Sequence, residues 1–202
     1  MASSQYFDPS PSVRSRRSTV TLTLADGSST FATDRGVFSA DGVDAGSKFL
    51  LQDAPPANPH GAALDLGCGY GPLAITLARR APAVAVWAVD VNERARTLCA
   101  ENAVTNHVTN VQVAAPDAVP DEVRFTTMWS NPPIRVGKAA LHELLSTWLG
   151  RLTHDGHAVL VVHRHLGADS LATWLVDQGW SVTRLATRLG YRLLDVTKDG
   201  AP

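Results

Sequence analysis

Short apolar runs alternate with amphipathic segments along most of this chain, beginning near residue 62. Uninterrupted apolar runs between turn residues predict buried strands, whereas apolar residues at intervals of three and four predict helices. The predicted core strands span 62–66, 83–89, 111–114, 125–130 and 157–163, and the predicted helices span 72–80, 93–105, 138–149 and 168–177. Because strands and helices alternate, we predict a mostly parallel α/β sheet with helices on both faces.

The residues before this repeating pattern predict an arm and an extension. Residues 1–18 are rich in Ser, Pro and Arg without apolar periodicity, which is typical of a flexible arm. Thr19–Leu24 alternates between polar and apolar residues and ends at Asp26-Gly27, which predicts a strand and a turn. Prolines near residue 57 then predict a loop. We therefore expect an arm (1–18) and one domain (19–202), the latter divided into an extension (19–60) and a core (61–202).

Two further strands are predicted at 181–189 and 191–197. Only Gly190 separates them, and so short a connection requires antiparallel pairing. The last strand of the sheet should therefore run antiparallel to its neighbours.

The composition narrows the class of protein. The chain has 202 residues, of which 45% are hydrophobic and 18% charged, as expected for one globular domain. Its formal net charge of -1 excludes a strongly basic nucleic-acid coat protein, so any RNA contact should be a local patch. The sequence contains neither an apolar run long enough to span a membrane nor a secretory signal. Cys68 and Cys99 lack the spacing of a metal site, which favours a reduced cytoplasm and predicts no bound metal.

The strongest chemical signal is a glycine-rich segment at the end of the first core strand. The sequence of Leu64–Gly71 is Leu-Asp-Leu-Gly-Cys-Gly-Tyr-Gly, and a predicted helix follows it. It therefore lies at the carboxyl end of a strand, which is the edge at which open α/β sheets bind ligands. Its spacing differs from the dinucleotide pattern, and an acid before the first glycine would repel a pyrophosphate. That acid suits the positively charged amino end of S-adenosylmethionine (SAM). The predicted cofactor loop consists of Asp65, Gly67, Cys68, Gly69 and Gly71.

Later acids extend the predicted cofactor site. Asp90 ends the second core strand, roughly 20 residues beyond the loop, where an acid can accept both ribose hydroxyls of an adenosine. We assign Asp90 and the adjoining Val91 to the cofactor. Asp117, after the third core strand, could accept the adenine amino group. Taken singly, Gly67–Gly71 is also compatible with a tight turn, Asp90 with a helix cap and Asp117 with an acid in a loop.

A predicted catalytic segment, Asn131-Pro132-Pro133-Ile134, follows the fourth core strand. Two prolines fix the backbone and remove two N–H donors, which leaves the Asn131 side-chain oxygen and the Pro132 carbonyl as acceptors. Such a pair can hold both hydrogens of an amino group and direct its lone pair at the SAM methyl, so Asn131 should also contact the cofactor. An exocyclic base amine needs this help because its lone pair is delocalised into the ring. Alone, the tripeptide would also suit a strand-ending turn.

Together these segments resemble the "methyltransferase small" family of class I SAM-dependent enzymes. Within it the chain is similar to the small-subunit ribosomal RNA guanine-N2 methyltransferases, especially their short single-domain bacterial relatives. The resemblance covers about residues 19–196 and rests on 31–39 with Asp44, Gly46 and Ser47, on 65–71 with Asp90, on 130–138, and on 167–170 with Gly190 and Tyr191. It implies a Rossmann-like fold with a seven-stranded, mostly parallel sheet and an antiparallel last strand.

The resemblance also implies a substrate, namely guanine N2 in small-subunit ribosomal RNA, free or in an assembling subunit. Phe38, Arg135 and Lys138 are assigned to substrate binding, and the two cations would contact phosphates. The sequence departs from the family in two ways. Ile134 stands where many amine methyltransferases have an aromatic residue that stacks on the base, and the N-terminal half-domain of longer members has no counterpart.

Two other functions compete with this one. A protein glutamine-amide methyltransferase would use the same Asn-Pro-Pro chemistry, but such enzymes usually have Tyr at the position of Ile134. A non-catalytic SAM-binding module for ribosome assembly would not need Asn131, Pro132 and Pro133 intact.

Overall fold

The computed structural model describes residue 10, residues 12–198 and residue 200. Within those residues the chain forms nine strands and five α-helices. In chain order they are β1 (Ser18–Leu24), β2 (Gly27–Thr33), α1 (Ala45–Asp53), β3 (Ala62–Leu66), α2 (Pro72–Arg80), β4 (Ala85–Val89), α3 (Glu93–Thr105), β5 (Val111–Ala114), β6 (Phe125–Ser130), α4 (Lys138–Leu149), β7 (Leu152–His163), α5 (Ala168–Asp177), β8 (Trp180–Arg188) and β9 (Tyr191–Lys198).

A seven-stranded sheet in the order β5-β4-β3-β6-β7-β9-β8 forms the centre of the molecule. Strands β3 to β7 are parallel, and β9 pairs antiparallel with both β7 and β8. This confirms the predicted sheet and its antiparallel last strand. The chain builds β3, β4 and β5 outward on one side and then returns to add β6 beside β3. That reversal opens a crevice at the carboxyl ends of β3 and β6, where open α/β sheets bind ligands.

Helices cover both faces of the sheet, which explains the nearly continuous apolar strands. One face packs against α1, α2 and α3, and the other against α4 and α5. Neighbouring strand residues point to opposite faces, so Met128 packs with α4 and α5 whereas Trp129 packs on the other side. Among the described residues, no helix combines the length and hydropathy that a membrane crossing requires.

The extension at 19–60 contains more structure than the sequence analysis predicted. Strand β2 pairs with β1 in a separate hairpin, and α1 occupies a segment for which the sequence pattern predicted no element. Both elements depend on distant partners. The Asn102 side chain of α3 accepts a hydrogen bond from the Ala32 N–H (2.7 Å) and donates one to its carbonyl (2.8 Å), which holds β2 against the core.

The predicted arm lies only partly within the described residues, since residues 1–9 and 11 fall outside them. The Ser15 hydroxyl and the Arg16 N–H both donate to the Asp34 carboxylate, at 2.6 and 2.5 Å. This part of the arm therefore contacts the domain, and the boundary at residue 18 stays a prediction.

Strand β7 begins at Leu152, so the predicted start at 157 was wrong. Leu152 pairs with Phe125 and His157 with Thr127, so the register shifts between these two pairs. Asp155 and Gly156 lie in this irregularity. A Cβ on Gly156 would come within 2.7 Å of the Phe125 carbonyl, so glycine permits a close approach of the two strands.

Candidate active site

A cavity of about 310 Å³ opens at the carboxyl ends of the central strands. We call the part of this cavity that borders the glycine loop after β3 and the turn after β4 the cofactor half. The acceptor half of the cavity borders the Asn-Pro-Pro turn after β6 and the carboxyl end of β7, and is lined by Ile134, Leu144, Val162, His163, Leu166 and Tyr191. A pocket of about 30 Å³ adjoins both halves behind Gly67 and Asn131.

Most of the predicted site residues line this cavity: Phe38, Gly67, Gly69, Asp90, Val91, Asn131, Pro132, Pro133, Ile134 and Arg135. Cys68 lines the smaller pocket. Asp65 and Gly71, at the two ends of the loop, are buried and lie outside the wall of either space. Asp117 and Lys138 are exposed and also lie outside the cavity wall, although Pro116 beside Asp117 reaches it. The cofactor and substrate roles assigned to these residues stay predictions.

The three loop glycines have left-handed backbone conformations, with φ of 79° at Gly67, 55° at Gly69 and 98° at Gly71. A Cβ on Gly67 or Gly69 would meet no atom within 4 Å, because both face open space where they border the cavity. A Cβ on Gly71 would instead lie 2.7 Å from the Cys99 sulfur. The first two glycines therefore leave room for a ligand, whereas the third allows α2 to pack against α3.

The Asp90 carboxylate links the two turns of the cofactor half. One oxygen accepts the Gly69 N–H and the other accepts the Asn92 N–H, both at 2.8 Å. Burial raises the pKa of the Asp90 carboxyl, and these two N–H groups oppose the rise. A carboxylate oxygen can accept more than one hydrogen, so Asp90 retains capacity for the two hydroxyls of a ribose.

Asp65 lies beneath the glycine loop and is fully buried. One of its oxygens accepts the Ala74 N–H of α2 at 2.8 Å, while the other has no hydrogen-bond partner among the described residues. Burial raises the pKa of the Asp65 carboxyl to about 8. A buried oxygen without a partner is uncommon, and it fits a cofactor whose amino end is positively charged, bound directly or through water.

The Asn-Pro-Pro segment forms a tight turn. Pro133 has φ -75° and ψ 70°, and the Ile134 N–H donates to the Pro132 carbonyl at 2.8 Å, which is the geometry of an inverse γ-turn. One lone pair of that carbonyl is thereby engaged, and the second remains available. The Ser130 hydroxyl donates to the Leu66 carbonyl at 2.7 Å and so fixes this turn beside the glycine loop.

The Asn131 side chain is held by the N-cap residue of α1 and by a residue of its first turn. Its amide nitrogen donates to the Asp44 carboxylate at 2.8 Å and to the Ser47 hydroxyl at 3.1 Å. Both amide hydrogens are therefore engaged on the α1 side. The amide oxygen remains as the acceptor of a residue that lines the cavity.

Sequence reasoning from chemistry missed several residues in and beside the acceptor half. Asp44, Ser47 and Tyr191 entered only through the family resemblance, and Leu166 did not enter at all. Tyr191 packs edge-on against His163 with ring centroids 4.8 Å apart. One local signal was available: Gly46 stands in the first turn of a helix, and a Cβ there would lie 2.7 Å from the Tyr191 ring.

Residues 28–195 match the family described as Methyltransferase small domain. This chain belongs to the methyltransferase small domain family. The YbxB protein of Bacillus subtilis is 34% identical over 199 residues, which cover 97% of this chain and 99% of that relative. Ribosomal RNA small subunit methyltransferase C of Shewanella baltica is 29% identical over 149 residues, covering 72% of this chain and 42% of the relative. Ribosomal RNA small subunit methyltransferase C of Aeromonas hydrophila is 34% identical over 136 residues, which cover 65% of this chain and 39% of the relative. This chain thus spans about two fifths of those ribosomal RNA enzymes.

Among solved structures, the T. thermophilus 16S rRNA N2 guanine methyltransferase (RsmC), in complex with AdoMet and guanosine, superimposes with a TM-score of 0.77. The two are 26% identical, and the match covers 93% of this chain and 52% of that one. As a member of this family, the protein is a SAM-dependent methyltransferase with a Rossmann-like α/β fold. When bound, SAM supplies an electrophilic methyl group on a positively charged sulfur.

Proposed function

We propose that this methyltransferase modifies N2 of a guanine in small-subunit ribosomal RNA. The observation that carries the proposal is the turn at Asn131, where two acceptors border the cavity between the cofactor loop and an apolar, partly aromatic wall. That combination suits a flat ring with a weakly nucleophilic amino group.

The acceptors perform the chemistry by positioning. The Asn131 side-chain oxygen and the free lone pair of the Pro132 carbonyl each accept one hydrogen of the amine, which aims the nitrogen lone pair at the methyl carbon. A nitrogen–carbon bond forms as the carbon–sulfur bond breaks, and the methylated nitrogen then releases one proton to water. No strong base is required, because the nitrogen becomes acidic only after it has received the methyl group.

The acceptor half supports a nucleobase as substrate. Ile134, Leu144 and Leu166 give it an apolar surface, and His163 and Tyr191 add aromatic rings. A base that has left its helical stack needs such a wall to replace the lost stacking. Arg135, exposed at the rim, can contact a phosphate of the same strand.

Guanine and ribosomal RNA enter the proposal through the relatives. The name ribosomal RNA small subunit methyltransferase C recurs among the related sequences, and the superimposed T. thermophilus structure contains guanosine. With a net charge of -1, the protein should contact few phosphates. Binding to bare RNA should therefore be weak and lose little affinity with salt.

Nucleoside mass spectrometry of ribosomal RNA from cells with and without the gene tests the proposal. We expect one N2-methylguanosine to disappear without the gene and to return with the wild type but not with Asn131→Ala. Purified protein should also transfer methyl groups to small subunits from the deleted strain. An unchanged guanosine profile together with no transfer to small subunits would reject the proposal. Transfer to a release factor instead would favour the protein-amide alternative.

A further inference from the structure

Asp44 occupies an unusual position between the extension and the catalytic turn. One of its carboxylate oxygens accepts three hydrogen bonds, from the Gly46 N–H (2.8 Å), the Ser47 N–H (3.2 Å) and the Asn131 amide nitrogen (2.8 Å). The first two bonds cap the N-terminus of α1. The third connects that cap to the residue that would hold the substrate amine.

The acceptor oxygen of Asp44 determines which way the Asn131 amide points. An ionised carboxylate only accepts hydrogen bonds, whereas the amide has its donors on nitrogen and its acceptor on oxygen. A flipped amide would present its oxygen to the carboxylate oxygen and lose the bond to Asp44, whereas the Ser47 hydroxyl could donate to it instead. The amide nitrogen must therefore face α1, which leaves the amide oxygen for the substrate.

The local sequence Asp44-Ala45-Gly46-Ser47 fits this arrangement residue by residue. A Cβ on Gly46 would lie 2.9 Å from the Asp44 oxygen and 2.7 Å from the Tyr191 ring, so glycine leaves room for both. Ser47 is buried, with 8% of its surface exposed, and accepts the second amide hydrogen of Asn131. A helix cap alone would need neither a buried partner hydroxyl nor a third donor.

From this geometry we infer that Asp44 is a positioning residue, which orients the Asn131 amide so that its oxygen can accept the substrate amine. Its effect on catalysis passes through Asn131. The inference rests on the proposed amine chemistry for its catalytic meaning, although the orientation of the amide can be measured in the absence of any substrate.

Two substitutions separate the cap from the positioning role. Asp44→Ser retains a good helix cap, but its oxygen is one bond closer to the backbone and does not reach Asn131. Asp44→Asn retains both the cap and an acceptor for Asn131. We expect Asp44→Ser to lower kcat about tenfold through a misoriented acceptor, with unchanged SAM affinity and melting temperature, and Asp44→Asn to recover most of the wild-type kcat.

Nuclear magnetic resonance of the Asn131 side-chain amide provides a readout besides activity. The resonance pair is assigned by its loss in Asn131→Ala. Its hydrogen exchange should be slow in the wild type and in Asp44→Asn, and about tenfold faster in Asp44→Ser, where one partner has been lost. If Asp44→Ser does not fold, Ser47→Ala removes the 3.1 Å bond while sparing the cap oxygen, and should change the same quantities by a smaller factor.

Three results would overturn the inference. The first is a kcat and an amide exchange rate in Asp44→Ser equal to those of the wild type. The second is an equal loss of kcat and of melting temperature in Asp44→Ser and Asp44→Asn. The third is a loss of SAM affinity in Asp44→Ser with an unchanged kcat. If the wild type methylates no RNA, the proposed function fails, whereas the exchange experiment still decides whether Asp44 orients Asn131.

Discussion

The two halves of the cavity are built in different ways. The cofactor half consists mainly of backbone from two turns, each directly after a strand: the glycine loop after β3 and the Asp90 turn after β4. The acceptor half brings together side chains from the N-cap of α1, the turn after β6, the end of β7 and the start of β9. A backbone cradle needs only a short motif in the sequence, whereas a wall of side chains needs the whole fold. Substitutions in the two halves should consequently affect different measurable quantities.

The largest expected effect is on turnover, from Asn131→Ala. Loss of one preorganised polar group that acts in the transition state lowers kcat by about a hundredfold to a thousandfold, or about 2.7–4 kcal/mol. SAM affinity should change little, and the free energy of unfolding should fall by no more than about 1–3 kcal/mol, because the bonds lost are those to Asp44 and Ser47. Steady-state kinetics with titration calorimetry checks this. Wild-type turnover in the variant would end the amine-holding mechanism.

Two glycine substitutions should separate ligand binding from folding within one loop. Gly71→Ala introduces left-handed strain and a contact with Cys99, so its free energy of unfolding should fall by about 2–4 kcal/mol. Gly67→Ala introduces the same backbone strain without a clash, so its free energy of unfolding should fall by only about 1–2 kcal/mol. Because its new Cβ faces the cavity, SAM affinity should fall about tenfold. Urea unfolding and calorimetry measure both quantities. Equal destabilisation by the two variants would contradict the assignment of different roles.

Asp90→Ala should weaken SAM binding by about 1–3 kcal/mol, since it removes a charged acceptor of the predicted ribose hydroxyls. The matched control is Asp117→Ala, which changes an exposed acid outside the cavity wall and should weaken binding less. Titration calorimetry of both variants provides the comparison. An Asp90→Ala affinity equal to that of the wild type would refute the ribose assignment.

The smallest predicted effect concerns Asp65 and pH. Its pKa is about 8 in the folded protein and 3.8 ordinarily, so between these values the folded state keeps a proton that the unfolded chain has released. The free energy of unfolding therefore falls as pH rises through that window. Asn does not titrate, so Asp65→Asn removes this pH-dependent decrease. At pH 8 the free energy of unfolding of the variant should be higher than that of the wild type by at least about 1.4 kcal/mol, which is the value of one pKa unit.

Urea unfolding without SAM at pH 5 and pH 8 measures the effect on stability. The other titrating groups are common to both proteins, so they cancel in the difference between the two. A difference between the proteins that does not grow with pH would show that Asp65 is ionised in the folded state.

The sequence by itself determined the repeating strand–helix core, the glycine-rich loop and the Asn-Pro-Pro turn. These features are local: Gly67–Gly71 must turn sharply next to a strand, and two prolines after Asn131 fix their own backbone whatever surrounds them. Because parallel strands bring their carboxyl ends to one edge, a mostly parallel sheet places Asp65 of β3 and Asn131 after β6 at the same edge. That β3 and β6 are direct neighbours was decided by the fold.

Only the tertiary structure decided what surrounds those motifs. Strand β2 has a polar sequence and is held by Asn102, 70 residues away along the chain from Ala32. In the sequence, Asp44 has only the features of an ordinary helix cap. The fold brings the side-chain nitrogen of Asn131, 87 residues later, within 2.8 Å of the Asp44 carboxylate oxygen. Tyr191 reaches the cavity because β9 turns back beside β7. Such contacts leave no periodic signal, since they depend on where separate elements pack rather than on the spacing of residues within one element.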